Sequence, residues 1–186
     1  DNKIEVDNKY LYGLADSNAL INNKIINEIT YDSTRLYFKN KFDLAYRGIH
    51  NLENILGVCS IAEILNIDIT ECLLSLINYN HLPHRIELVH RFKNIDWYND
   101  SKSTNTASTK AALEYIDNNI ILIMGGAKKN INYKPLSPLI DKKVKLLIFI
   151  GENKKFINHQ LNVDTKILNA NSMDDAVIIA NDHADN

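Results

Sequence analysis

The chain has 186 residues, 45% of them hydrophobic and 24% charged, with a formal net charge of −2. That is enough chain for one substantial core or two small ones, and the composition is ordinary for a soluble globular protein. A near-neutral charge without a basic stripe argues against a nucleic-acid footprint, and apolar runs such as Lys145–Ile150 are far short of a membrane span.

In chain order, residues 35–46 alternate apolar and polar on both sides of Lys39-Asn40, the pattern of a hairpin. Helical spacing of Leu52, Ile55, Leu56, Cys59, Ala62 and Leu65 predicts a helix with Asn51 as its N-cap. A second helix is predicted from Thr70, as its cap, to about Asn78. Leu82-Pro83-His84-Arg85 is extended by its proline and marks a boundary between two halves. Beyond it, strands Ile86–Phe92 and Ile95–Tyr98 are joined at Lys93-Asn94. A helix follows over 105–115, then a buried strand over 120–124 ended by Gly125-Gly126. A short helix over 135–140, a strand over 146–150, a helix over 152–160, a strand over 166–168 and a helix over 172–180, capped by Ser172, complete the order. Continuous apolar strands alternating with helices predict an α/β fold with a mostly parallel sheet covered on both faces. Ligands of such sheets bind beyond the carboxyl ends of the strands.

Cys59 and Cys72 lie in helical patterns, away from any Cys-x-x-Cys spacing. They read as buried thiols of a reducing, cytoplasmic compartment, with a disulfide or metal ligation not expected. No secretory signal is visible. Both ends, Asp1 and the polar tail at Asn186, read as parts of a longer protein.

The most polar stretch, Asn99–Thr109, sits at a predicted strand-to-helix corner. A helix N-terminus suits an anion, Lys102 adds charge, and Ser101, Ser103 and Thr104 add donors. Asp100 would repel an anion and fits hydroxyls such as those of a ribose. A helix cap followed by a solvated turn explains the same residues. Gly125-Gly126-Ala127-Lys128-Lys129 could bring backbone and a lysine to a carboxylate or phosphate, or be an ordinary turn. Asn51 and Asn54 share a helix face and could read an adenine edge, and Arg85 could reach a phosphate; a cap and surface residues are the plain alternatives. His81 and His84 lack ligand companions and read as structural or surface residues. No glycine is followed by lysine, so these residues contain no nucleotide-hydrolysing P-loop.

Taken together and in this order, Gly48-Ile-His-Asn-Leu-Glu-Asn54, Leu82-Pro-His-Arg85, Asn99-Asp-Ser-Lys-Ser-Thr-Asn105 and Gly125-Gly-Ala-Lys-Lys129 resemble the Mur ligase family. The Asn99–Asn105 segment resembles the branch that adds D-glutamate to UDP-N-acetylmuramoyl-L-alanine in peptidoglycan biosynthesis. The resemblance implies that residues 1–81 are the hairpin and helical tail of a P-loop-type central ATPase domain. Residues 82–186 would be a Rossmann-like C-terminal domain lacking its last strand. It implies ATP and magnesium as cofactors, with the magnesium ligands and the P-loop outside this chain, and a monomeric full-length enzyme working in the cytoplasm. Asn51, Asn54, Arg85 and Asp100 would bind nucleotide; Lys102, Thr104 and Lys129 would hold D-glutamate. No residue of this chain is assigned a catalytic role, and the chain alone is expected to be inactive. Ser103, Ala127-Lys128 and Asn132-Tyr133 depart from commoner family patterns, and Lys128 beside Lys129 leaves two candidates for one role. A folylpolyglutamate synthase-like enzyme, another Mur ligase and a non-catalytic ligand-binding remnant are the alternatives. Residues 1–47 are expected to be the less stable part, because isolated hairpins are marginal.

Overall fold

The computed structural model describes residues 12–15, 18–22, 24–31, 35–39, 42–45, 49–77, 82–127 and 130–184. The chain divides into two compact units, Asp1–His81 and Leu82–Asn186.

The first unit opens with five strands, β1 (Gly13–Ala15), β2 (Asn18–Ile21), β3 (Lys24–Tyr31), β4 (Arg35–Phe38) and β5 (Phe42–Ala45), followed by helices α1 (Ile49–Ile64) and α2 (Ile69–Ile77). The strands form an antiparallel sheet in sequence order. Phe38 pairs with Phe42 across the predicted hairpin; Asn40 in its turn lies outside the described residues. Strand alternation sends Ala19 and Ile21 of β2 inward while Asn18 and Leu20 stay half-exposed. Ala19, Ile21, Ile29, Leu36 and Phe38 join Leu52, Leu56 and Cys59 of α1 and Leu73 of α2 in one core.

Two cap assignments from the sequence are corrected here. Helix α1 begins at Ile49, so Asn51 lies within its first turn rather than capping it. Helix α2 begins at Ile69, and its cap is Asp68: Asp68 Oδ1 accepts from the N–H groups of Thr70 at 2.7 Å and Glu71 at 3.3 Å. The aspartate outcompetes the threonine because its carboxylate reaches two free donors of the first turn. Hydrogen bonds from Thr70 hold the Asp68 carboxyl below its ordinary range.

The second unit starts with the hairpin β6 (Glu87–Phe92) and β7 (Ile95–Asn99). Its two-residue turn has Lys93 at φ 49° and Asn94 at φ 63°, which matches the twist of the flanking strands. Then come α3 (Thr106–Tyr115), β8 (Ile120–Gly125), a 3-10 turn (Lys134–Leu136), α4 (Ser137–Lys143), β9 (Val144–Ile150), α5 (Lys154–Gln160), β10 (Lys166–Asn169) and α6 (Met173–Ala184). Strands β8, β9 and β10 form a parallel sheet with β9 in the centre. Side chains of β9 alternate between two cores. Leu147 and Phe149 pack with Leu113, Leu136, Ile140 and Ile157 on one face. Leu146 and Ile148 pack with Ala176 and Ala180 of α6 on the other. A strand buried on both faces is apolar where both faces are covered, which is why β9 reads as a continuous apolar run over Leu146–Ile150; Lys145, near its start, is only half-buried and donates to Ala184 O at 3.2 Å. Trp97 of β7 packs against the α6 face and so docks the hairpin. Ser172 caps α6, its Oγ accepting from Asp175 N–H at 3.1 Å.

Candidate functional site

The corner between β7 and α3 is a built structure rather than a loose turn. Asn105 is extended (φ −145°, ψ 166°), and its Oδ1 accepts from Ser108 N–H at 2.9 Å, capping α3. Asp100 turns its carboxylate inward: Oδ1 accepts from Ile86 N–H at 3.0 Å, and Oδ2 accepts from the Ser103 hydroxyl. The turn is closed by Ser103 N–H to Asp100 O at 2.8 Å and Thr104 N–H to Lys102 O at 2.8 Å. Lys102 and Thr104 are left exposed.

A second segment, Pro83–Glu87, is stitched to this corner. Lys102 N–H donates to His84 O at 3.1 Å, and Asn99 Nδ2 lies 2.8 Å from His84 Nδ1. His84 N–H in turn donates to Glu87 Oε2 at 2.8 Å. His84 and Ile86 both have positive φ, 65° and 46°. For a β-branched residue that is an outlier costing about 1–3 kcal/mol. The buried Ile86 side chain and its bond to Asp100 hold it there. Arg85 lies exposed between these two strained residues and therefore beside the corner.

A third segment joins from beyond β8. Thr106 Oγ1 donates to Asn132 O at 2.7 Å, tying the first turn of α3 to the chain after Gly125-Gly126. Gly125 has φ 156°, and a Cβ there would stand 1.9 Å from the Ile150 carbonyl oxygen. Only glycine lets the end of β8 come this close to the end of β9. A cleft of about 490 Å³ follows, lined by Asn130, Ile131, Asn132, Lys134, His159 and Gln160. Beneath Gly126, whose carbonyl accepts from Asn153 N–H at 3.3 Å, the Asn153 side chain is buried.

The structure thus gathers Arg85, Asp100, Lys102 and Thr104 of the sequence-derived set at one edge of the second unit. Lys128 and Lys129 lie outside the described residues. Asn51, half-buried, and Asn54, exposed, are on α1 of the first unit. His84, read from the sequence as a structural or surface residue, is an exposed one that organises the corner. Which partners it takes was not visible: Asn99 and Lys102 are fifteen or more residues away, and no local pattern marks them. Sequence reasoning missed Ser103 as the second partner of Asp100, although a hydroxyl three residues after an aspartate is a recurrent turn signal. Near the corner, the Arg91 guanidinium holds the Asp96 carboxyl below its ordinary range, and burial followed by Asp96 raises the Tyr98 hydroxyl. Among the described residues no group of three or more His, Cys, Asp and Glu could hold a metal ion, and no helix is long and apolar enough to cross a membrane.

Residues 84–186 match the family model of the Mur ligase glutamate ligase domain. The UDP-N-acetylmuramoylalanine--D-glutamate ligase of Citrifermentans bemidjiense is 37% identical over 135 residues, which is 72% of this chain and 30% of the relative. The ligase of the same description from Bdellovibrio bacteriovorus is 39% identical over 135 residues, 72% of this chain and 29% of the relative. The chain therefore spans about a third of the length of these curated relatives. Among solved structures, MurF from Acinetobacter baumannii superposes with TM-score 0.60 at 13% identity over 84% of this chain and 38% of the other. A pseudomurein peptide ligase type C from Methanothermus fervidus gives TM-score 0.60 at 18% identity, over 86% of this chain and 36% of the other. Those two likenesses carry the fold alone. Since the family model matches more than half of the residues, and the strand-to-helix corner falls inside the matched span, the chain belongs to the Mur ligase family, of which it holds a C-terminal portion.

Proposed function

We propose that this chain is part of an ATP-dependent, ADP-forming ligase that joins D-glutamate to UDP-N-acetylmuramoyl-L-alanine in peptidoglycan biosynthesis in the cytoplasm. Residues 1–81 are assigned to the tail of its central ATPase domain and 82–186 to its C-terminal domain. The observation that carries this reading is the Asp100–Asn105 corner: it is rigidly hydrogen-bonded, yet leaves Lys102 and Thr104 exposed. The names of the relatives at 37% and 39% identity support the choice of D-glutamate.

A reaction of this class activates the muramoyl-alanine carboxylate as an acyl phosphate, which the amine of D-glutamate attacks before phosphate leaves. Such a sequence crowds anions together and calls for fixed cations and donors. Lys102 and Thr104 supply an ammonium and a hydroxyl for one carboxylate of D-glutamate, and Lys129 is assigned to the other. Because the corner is already closed by its own hydrogen bonds, the backbone that carries Lys102 and Thr104 loses little freedom on binding. Each Asp100 oxygen has one internal partner and keeps a lone pair, so it can accept a ribose hydroxyl as well. Arg85, with Asn51 and Asn54, completes the set assigned to the nucleotide. A magnesium ion accompanying ATP would neutralise phosphate charge, with its protein ligands expected outside this chain.

The test is a chimera. Residues 49–184 replace the matching portion of the Citrifermentans bemidjiense ligase, and phosphate release is measured with D-glutamate. D-glutamate-dependent turnover is expected, and Lys102→Ala should lower kcat/KM by about tenfold or more, the loss of one charge-assisted hydrogen bond. A folded chimera without D-glutamate-dependent turnover, or one that prefers L-glutamate with a folate, would contradict the proposal. The chain by itself should not hydrolyse ATP, since it has no Gly-Lys pair of a P-loop.

A further inference from the structure

We propose that Cys59 and Cys72 form an oxidation site: a neutral hydroperoxide converts Cys72 to a sulfenic acid, and Cys59 then closes a disulfide between α1 and α2. Thirteen positions of sequence hide this pair, because no short Cys motif links them. The fold brings them together. Cys59 lies fully enclosed in the core of the first unit, with Cys72 of α2 packed against that core and its thiol beside the Cys59 thiol.

The two thiols differ in access. Cys59 has no exposed surface, whereas Cys72 is half-buried and lines a cleft of about 380 Å³ between the helices. Val58, Ile61 and Leu65 make the cleft apolar, and Glu71 adds a carboxylate to its lining. Such a cleft admits a small neutral oxidant and disfavours a charged one such as oxidised glutathione, which is both bulky and anionic. Cys72 is therefore the sulfur that meets the oxidant and Cys59 the one that resolves it.

The steps balance. The Cys72 sulfur, as its thiolate, attacks one peroxide oxygen and the O–O bond breaks, giving Cys72 sulfenic acid, while the departing oxygen takes up the thiol's proton and leaves as an alcohol, or as water from hydrogen peroxide. The Cys59 sulfur then attacks the Cys72 sulfur. An S–S bond forms, the S–O bond breaks, and the hydroxyl leaves with the Cys59 proton as water. Burial, with Cys72 second, pushes the Cys59 thiol up to about 12. It therefore stays protonated near neutrality and does not compete for oxidant. Resolution is slow for the same reason, so the sulfenic acid should live long enough to be trapped.

The experiment exposes the purified chain to hydrogen peroxide or to oxidised glutathione, with dimedone present or absent, and then alkylates and digests it for mass spectrometry. Peroxide should give a peptide pair linked through Cys59 and Cys72 within a monomer, reversed by dithiothreitol. Its rate should exceed that with oxidised glutathione by roughly tenfold at equal concentration. Dimedone should label Cys72 and not Cys59 in the wild-type chain, an arm that depends on no variant folding. In Cys59→Ser, trapping at Cys72 should increase. Interchain dimers as the main product, preferential labelling of Cys59, or no Cys59–Cys72 link at peroxide levels that oxidise free cysteine would each overturn the proposal.

Discussion

The two units solve the same burial problem differently. In the second, β9 is sandwiched: Leu147 and Phe149 face one layer of helices, Leu146 and Ile148 face another. In the first, a five-stranded antiparallel sheet is covered by α1 and α2 on one core only. Helix α1 is apolar around much of its circumference, yet Ile61 and Ile64 remain 60% and 46% exposed. A helix with apolar residues on every side usually belongs inside a protein. The contrast teaches that the units differ in layering: the second buries its central strand on both faces, whereas the first gathers its sheet and helices around a single core. Apolar side chains stay exposed in both, among them Ile61 of α1 and Ile178 of α6.

That contrast can be broken or sharpened by mutation. The largest effect is expected from Phe149→Ala, which empties a site shared by the helices on one face of β9. It should cost about 3–5 kcal/mol. Hydrogen exchange should show the loss in 82–186 while α1 and α2 keep their protection; equal loss in both units would mean that they unfold as one. Gly125→Ala should follow, at about 1–3 kcal/mol, because the new Cβ meets the Ile150 carbonyl. Gly126→Ala, where a Cβ meets nothing within 4 Å, isolates the cost of positive φ alone. Matching losses from the two substitutions would remove the argument for a tight β8–β9 edge.

A pH titration reads the first unit instead. The Cys59 thiol is raised by burial from 9.0 to about 12, so the unfolded chain gives up its proton first as pH rises. The part of the first unit's stability that this thiol contributes should be constant below about pH 9 and fall between about pH 9 and 12. Cys59→Ala should flatten that slope by the part due to this thiol. Chemical denaturation followed by α1 exchange checks it, and a slope unchanged by the substitution would contradict the assignment.

Much of the second unit was legible in the sequence because its signals are local. Apolar runs bounded by glycine gave β8 and β9, Ser172 and Asn105 stood where caps belong, and Lys93-Asn94 gave the hairpin turn. The first unit was less legible where two cap-forming residues compete within a turn. Asp68 and Thr70 both fit the chemistry, and only geometry selects the aspartate. Asn51 was misplaced because the helix begins at Ile49, before the apolar periodicity becomes visible. At the corner, sequence showed which groups are present but not how they are held. That Asp100 secures Ile86, and His84 secures Lys102 and Asn99, depends on pairings across fourteen or more positions. The meeting of Cys59 and Cys72 was hidden for the same reason.

The central claim is that the Asp100–Asn105 corner holds D-glutamate, and all the residues assigned to that amino acid lie in the second unit. Amide resonances of the chain, followed during titration with D-glutamate and separately with L-glutamate, test it most directly. The account predicts shifts centred on Lys102, Thr104 and the Gly125–Ala127 turn, larger for D-glutamate and abolished by Lys102→Ala. Equal shifts for both enantiomers, or shifts centred elsewhere in the chain, would contradict it.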